Sequence, residues 1–260
     1  MSVVAAILRI LVLVSFTIAI LPAHLLSLFF FPKIANRIAY VWHIMSCWAL
    51  NVSVRITGTP QKGPVLYLSN HVSWLDIVAL SRAAPLSFVA KADVATWPLF
   101  SWLAKWQRTI FVEREKRSHT GVVLNAMVDR LESRDALVLF PEGTSSDGWH
   151  ILPFKSALIG AVVETAKRLD DHDADLFVQP VALAYTNLQG IPLGRMEAER
   201  AAWLGDIDLL PHLWSVIKSG RLEVHIVFGA PVEVNASTNR KTLTKDMEAQ
   251  VAGLLEQARS

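Results

Sequence analysis

The sequence predicts an α/β fold: a mixed, mostly parallel central sheet flanked by helices, preceded by an N-terminal membrane-associated helical hairpin. Three observations predict it. Short β-branched, apolar runs recur after Asn51, with helical patterns between most of them. Such alternation builds a sheet covered on both faces. No charged residue occurs from Ile10 to Phe31. Charged residues make up only 18% of the chain, against about 25% in soluble domains, so part of this surface meets lipid. The chain divides into membrane-anchoring helices over 1–50 and one α/β domain over 51–260.

Taking the elements in order, the Ile10–Phe31 run is long enough to cross a bilayer core, which needs roughly 20 helical residues. Pro22 and His24 interrupt it, which also admits a bent or re-entrant helix. A cleaved signal peptide fits less well, because Leu28-Phe29-Phe30-Phe31 is bulky where a small-residue cleavage site belongs. A second apolar stretch, Ile38 to Val52, carries Tyr40, Trp42 and Trp48, side chains that favour the membrane interface. The two form a hairpin that dips into one leaflet or spans once. Core helices of a soluble protein would satisfy the same composition. Lys33 and Arg37 follow the first stretch and only Arg9 precedes it. That bias places the following domain on the cytoplasmic face of the inner membrane.

Strands are predicted at Val52–Thr57, Val65–Ser69, Leu86–Ala90, Thr109–Glu113, Ala136–Phe140, Phe177–Ala184 and Leu222–Phe228. Helices are predicted at Trp97–Gln107, Ser118–Glu132 and Lys155–Leu169. The last segment carries Leu243, Met247, Val251, Leu254 and Leu255 at helical spacing. The Trp- and Leu-rich stretch Ala198–Lys218 reads as a helical excursion that packs on the sheet or touches lipid.

Composition excludes several classes. With 25 basic and 23 acidic residues, the charge is too balanced for nucleic acid to be the main partner. The single cysteine, Cys47, excludes an intrachain disulfide and a multi-cysteine zinc site, and reads as a small buried apolar residue. No metal site is expected, since Asp147 and His150 lack further ligands at a recognisable spacing. No G-x-S-x-G occurs, so a hydrolase with a nucleophile elbow has no support.

Three polar constellations sit at predicted strand ends, where α/β sheets bind ligands. In "LSNHVSWLD", Asn70 and His71 fall in a strand-to-helix turn, with Ser73 and Asp76 spaced as a capping box. Asp76 can reach back to the imidazole, and a carboxylate-oriented histidine is a general base. A capped helix with an incidental histidine satisfies the same residues. In "FPEGTSSDG", Glu142 can accept hydrogen bonds from substrate hydroxyls, and the Gly143–Thr144 turn can aim amides at an anion. A plain glycine turn fits too. In "TIFVERE", Arg114 ends a strand. Its fork suits phosphate or carboxylate, although a solvated strand end needs no such ligand.

In order and spacing, these blocks resemble the glycerolipid acyltransferase family of the lysophosphatidate type. Asn70, His71 and Asp76 match its N-H-x-x-x-x-D block, and Phe111 and Arg114 its second block. Phe140 to Thr144 match F-P-E-G-T, Val178, Pro180 and Val181 match a proline-bearing strand, and Phe154-Lys155 resembles the family's continuation. The resemblance implies that His71, oriented by Asp76, deprotonates the hydroxyl of a membrane lyso-lipid. That oxygen then attacks the thioester of acyl-carrier protein or acyl-CoA, with no cofactor. Arg114, Glu142, Gly143 and Thr144 are implied to bind substrate. Ser145 stands where the family usually carries an arginine for the acceptor phosphate. In this it resembles the bacterial branch that acylates lyso-ornithine lipid. A lipid esterase or thioesterase using the same pair on water, or a non-catalytic membrane scaffold, are the alternatives.

Overall fold

The computed structural model describes residues 2–91, 100–112, 117–169, 175–198, 200–205 and 207–260. Two long helices open the chain, α1 (Val3–Phe30) and α2 (Pro32–Ala49). Helix α1 runs through Pro22 and stops only at Phe31, where Pro32 opens α2 at a position that needs no amide donor. At 28 residues α1 is about 42 Å long, and it is apolar enough to cross a membrane. Its one charged side chain, Arg9, donates to Trp48 O at 3.1 Å and Asn51 Oδ1 at 2.9 Å. Trp42 Nε1 donates to Thr17 Oγ1 at 2.8 Å across the hairpin.

Strands β1 (Val52–Thr57), β2 (Val65–Ser69), β3 (Ser87–Lys91), β4 (Ile110–Val112), β5 (Ala136–Leu139), β6 (Phe177–Leu188) and β8 (Leu222–Phe228) form one sheet in the order β1-β8-β6-β2-β5-β3-β4. Two short strands, β7 (Ile191–Pro192) and β9 (Val232–Glu233), pair with β6. The pairs β1–β8, β2–β5, β2–β6, β3–β4 and β3–β5 are parallel, whereas β6 pairs antiparallel with β7, β8 and β9. Pro180 lies inside a central strand, where a missing amide would ordinarily break the ladder. It falls where β6 changes neighbour: Phe177 and Val178 pair with β9, and pairing with β8 begins at Val181.

Helices α3 (Leu75–Ala83), α4 (Phe100–Trp106), α5 (Arg117–Glu132), α6 (Ser156–Leu169), α7 (Arg195–Ala198), α8 (Leu209–Ser219) and α9 (Arg240–Arg259) complete the chain. Alternation along β2 explains the two layers. Leu66 and Leu68 join the cluster that holds Met127 of α5, Ile159 of α6 and Met247 of α9. Val65 and Tyr67 join the opposite cluster, with Leu75 of α3, Val216 of α8, and Ala6 and Cys47 of the hairpin. The hairpin therefore shares a core with the sheet. The outer face of α1 stays exposed at Val4, Leu8, Leu11 and Ile18.

Strand β3 keeps its predicted length but sits one residue later, β4 begins one residue later, β5 is one residue shorter than predicted, and β6 runs four residues longer, to Leu188. The predicted start of α4 and the end of β4 fall partly outside the described residues.

Candidate active site

Strand β2 delivers the first loop. Asn70, fully buried, bonds both polar groups of one residue on β6: its Nδ2 donates to Leu183 O at 2.9 Å and its Oδ1 accepts from Leu183 N at 2.8 Å. This side chain extends the ladder past the end of β2 and fixes where the next residue points.

That residue is His71. Its Nδ1 lies 2.8 Å from Asp76 Oδ2. A carboxylate only accepts, so Nδ1 carries a proton, and in the neutral imidazole Nε2 holds the lone pair. Among the described residues Nε2 has no hydrogen-bond partner, and the side chain is 18% exposed. One face of the ring stacks on Phe140 at 4.2 Å and 18°, and Phe140 stacks in turn on Phe88. The imidazole is thus held by an edge and a face.

Asp76 is 0% exposed. Its Oδ2 also accepts from the amides of Val72 at 2.6 Å and Ser73 at 2.9 Å, and its Oδ1 accepts from Tyr185 Oη at 2.6 Å. Four donors in all converge on this carboxylate and fix its orientation. Burial, then the neighbouring Asp76 charge, pushes the Tyr185 hydroxyl well above its ordinary pKa, so it remains a donor. The capping box forms only in half. Asp76 caps the Ser73 amide, but α3 begins at Leu75 with Trp74 at the N-cap and no side-chain cap. The aspartate is drawn inward to the imidazole and the tyrosine.

Strand β5 delivers the second loop. Glu142 was expected to meet substrate hydroxyls; it is 2% exposed, with Oε1 accepting from His71 N at 2.9 Å and Oε2 from Leu152 N at 3.1 Å. Burial pushes its pKa up to about 7, against the pull of those two amides and with help from the charges of Asp76 and Asp147. The Gly143 amide, expected to face an anion, donates to Phe140 O at 3.1 Å and closes the turn at φ +77°. A Cβ there would stand 2.7 Å from Lys155 Nζ, so the glycine lets an ammonium lie over the turn. Thr144 is exposed. Ser146 N and Oγ both donate to His71 O, at 2.7 and 3.1 Å, which sews the two loops together. Ser145 Oγ donates to Trp203 O.

A family model described as "Acyltransferase" matches residues 51–184, which cover both loops. The chain belongs to the acyltransferase family. It is 39% identical to the lyso-ornithine lipid O-acyltransferase of Brucella abortus, over 95% of this chain and 92% of that protein. It is 38% identical to the lyso-ornithine lipid O-acyltransferase of Rhizobium meliloti, over 94% of this chain and 83% of that protein. The 1-acyl-sn-glycerophosphate acyltransferase of Thermotoga maritima shares the fold, with a TM-score of 0.65 at 20% identity and 98% of each chain covered.

The acyltransferase brings His71, Asp76, Glu142 and Gly143 into one cluster at the carboxyl ends of β2 and β5. Arg114 lies outside the described residues. Sequence reasoning missed Tyr185, which meets Asp76 across 109 positions, and the strap from Asn70 to Leu183 across 113. Neither pairing leaves a local signal.

Proposed function

We propose that this acyltransferase esterifies the hydroxyl of lyso-ornithine lipid by general-base catalysis at His71. The observation that carries the reading is the fixed tautomer: Nδ1–H on buried Asp76, with Nε2 left as the base. Nε2 takes the acceptor's hydroxyl proton as its oxygen attacks the thioester carbonyl. The tetrahedral intermediate collapses with cleavage of the C–S bond, and the imidazolium returns its proton to the leaving thiolate. The ester and a free thiol leave, and no cofactor enters the balance. The thiol belongs to acyl-carrier protein or CoA.

Glu142 holds the histidine loop by its backbone rather than the acceptor by its hydroxyls, because it is buried and each of its oxygens faces a backbone amide. Two features favour lyso-ornithine lipid over lysophosphatidate. The two relatives above carry that name, and Ser145, tied to Trp203 O, supplies no cation where a phosphomonoester would need one. Arg114 and Lys155 remain as cations for a carboxylate or a lipid phosphate.

The hairpin lies along the domain within one leaflet, and the site works at the cytoplasmic face. Helix α1 touches its own domain near both ends, through Ala6 in the core and through His24 against Trp106 at 6.4 Å. A helix that crossed the bilayer would leave the domain behind.

The test offers purified full-length protein labelled acyl-carrier protein or acyl-CoA with either lyso-lipid. Acylation of lyso-ornithine lipid in preference, lost in His71→Ala with the fold retained, is expected. Preference for lysophosphatidate overturns the acceptor assignment. Free fatty acid released without an acceptor overturns transfer itself.

A further inference from the structure

The segment from Ala201 to Ser219 is bound to the catalytic loops by its backbone and by one histidine. Trp203 N donates to Val72 O at 2.9 Å, next to His71, and Trp203 O accepts from Ser145. Trp74 Nε1 donates to His212 Nδ1 at 3.0 Å, and His212 Nε2–H donates to Ala202 O at 3.1 Å. Burial lowers the His212 pKa, so the ring is neutral and adds no charge. Inward, Ala201, Ala202, Val216 and Ile217 are buried in the core that also holds Ala6 of α1.

Outward, the same segment exposes Ile207 at 44%, Leu210 at 67% and Trp214 at 37%. Leu210 and Trp214 are four apart and lie on one stripe of α8. Lys218 follows one turn on, where a long ammonium side chain reaches headgroups. Helix α8 packs on α1, whose own outer face is exposed and apolar at Val4, Leu8 and Leu11. The two exposed apolar faces therefore belong to helices in contact, and the segment that leads into α8 is bonded beside His71. Tryptophan is a side chain of the membrane interface, and an apolar stripe with a basic border is the pattern of a helix lying in it.

We propose that α8 is a second lipid-contact element, so that the rim of the catalytic site is seated in the bilayer surface and the acceptor reaches His71 without crossing water. Its occupant is the same lipid surface in which the apolar face of α1 is proposed to lie. The use of this rim rests on the acyltransferase reading above, but its location does not.

The test uses full-length protein in a Cys47→Ser background, with Leu210→Cys or Lys245→Cys carrying an environment-sensitive fluorophore. Lys245 lies on α9, on the other face of the sheet. Each protein is reconstituted into phosphatidylcholine–phosphatidylglycerol vesicles. The label at 210 should shift to the blue, become shielded from aqueous iodide and be quenched by doxyl-labelled lipid. The label at 245 should stay open to iodide. Equal iodide quenching at both positions overturns the proposal. So does shielding at 210 that appears in detergent without vesicles and rises with protein concentration, which would mark a contact between two copies. No turnover is read, so a failed acceptor assay and a failed α8 assignment are told apart.

Discussion

Asp76→Asn removes the charge beneath His71 and keeps the shape. The structure says how the amide would sit. Three donors converge on Oδ2 and one hydroxyl on Oδ1. The amide oxygen takes the three-donor side, and the NH2 turns to Tyr185, whose hydroxyl can accept as readily as it donates. Nδ1–H of His71 keeps an acceptor, so the tautomer survives. What is lost is stabilisation of the imidazolium that forms in the transition state. For full charges 2.8 Å apart, an effective dielectric of about 20 gives a ceiling near 6 kcal/mol. Partial proton transfer and the three other donors on the carboxylate reduce this to about 3–4 kcal/mol, or roughly 10²- to 10³-fold in kcat. Initial rates of ester formation on vesicle-presented acceptor measure it, and a thermal melt checks the fold. A folded variant within about threefold of the parent kcat, under 1 kcal/mol, would refute the assignment of Asp76 to the transition state.

Three further variants have expected outcomes. Tyr185→Phe deletes one charge-assisted hydrogen bond from a buried carboxylate and should lower stability by about 1.5–3 kcal/mol, read as a fall in melting temperature. Glu142→Gln sets an NH2 against the Leu152 amide, leaving a buried donor unpaired at a cost of about 1–3 kcal/mol. The pH dependence has a definite sign. Burial raises Glu142 from 4.5 to about 7 in the fold, so its proton-linked contribution is complete below pH 4.5 and fades as pH rises to about 7. The gap between parent and Glu142→Gln should narrow between pH 5 and 7.5; a gap that widens contradicts the raised value. Gly143→Ala forces a Cβ onto φ +77° and against the flexible end of Lys155. About 1 kcal/mol of strain is expected, with a matching fall in melting temperature.

The sequence was most legible where the physics is local. Strand β2 announces itself as five apolar or small residues before a polar break, and the His71–Asp76 pair lies within one turn. Their distance could be expected because the loop that separates them is short. Glu142 was located but its orientation was not, since burial depends on what covers a loop. Here the Leu152 amide and the His71 backbone close over both oxygens. Tyr185 and Leu183 are beyond the reach of any spacing argument. They arrive through the pairing of β2 with β6, and nothing near Asn70 or Asp76 encodes that register.

The two carboxylates at this site carry one formal charge each but do different work, and the donors decide which. Asp76 gathers four, two of them from side chains, of which Tyr185 reaches it across the fold. Its position beneath the imidazole is therefore fixed from several sides. Glu142 has two backbone amides in a setting that otherwise disfavours its charge. Protonating it adds one O–H and still leaves a lone pair on each oxygen, so both amides remain satisfied. Its bracing of the histidine loop thus survives neutralisation, which also spares Asp76 a like charge nearby. A base that must gain a proton and return it in each cycle needs one fixed anion beneath it. A second fixed anion beside the same loop would favour the imidazolium and oppose return of the proton to the leaving thiolate. The pairing of a heavily donated aspartate with a sparsely donated glutamate fits the forward and the return transfer alike.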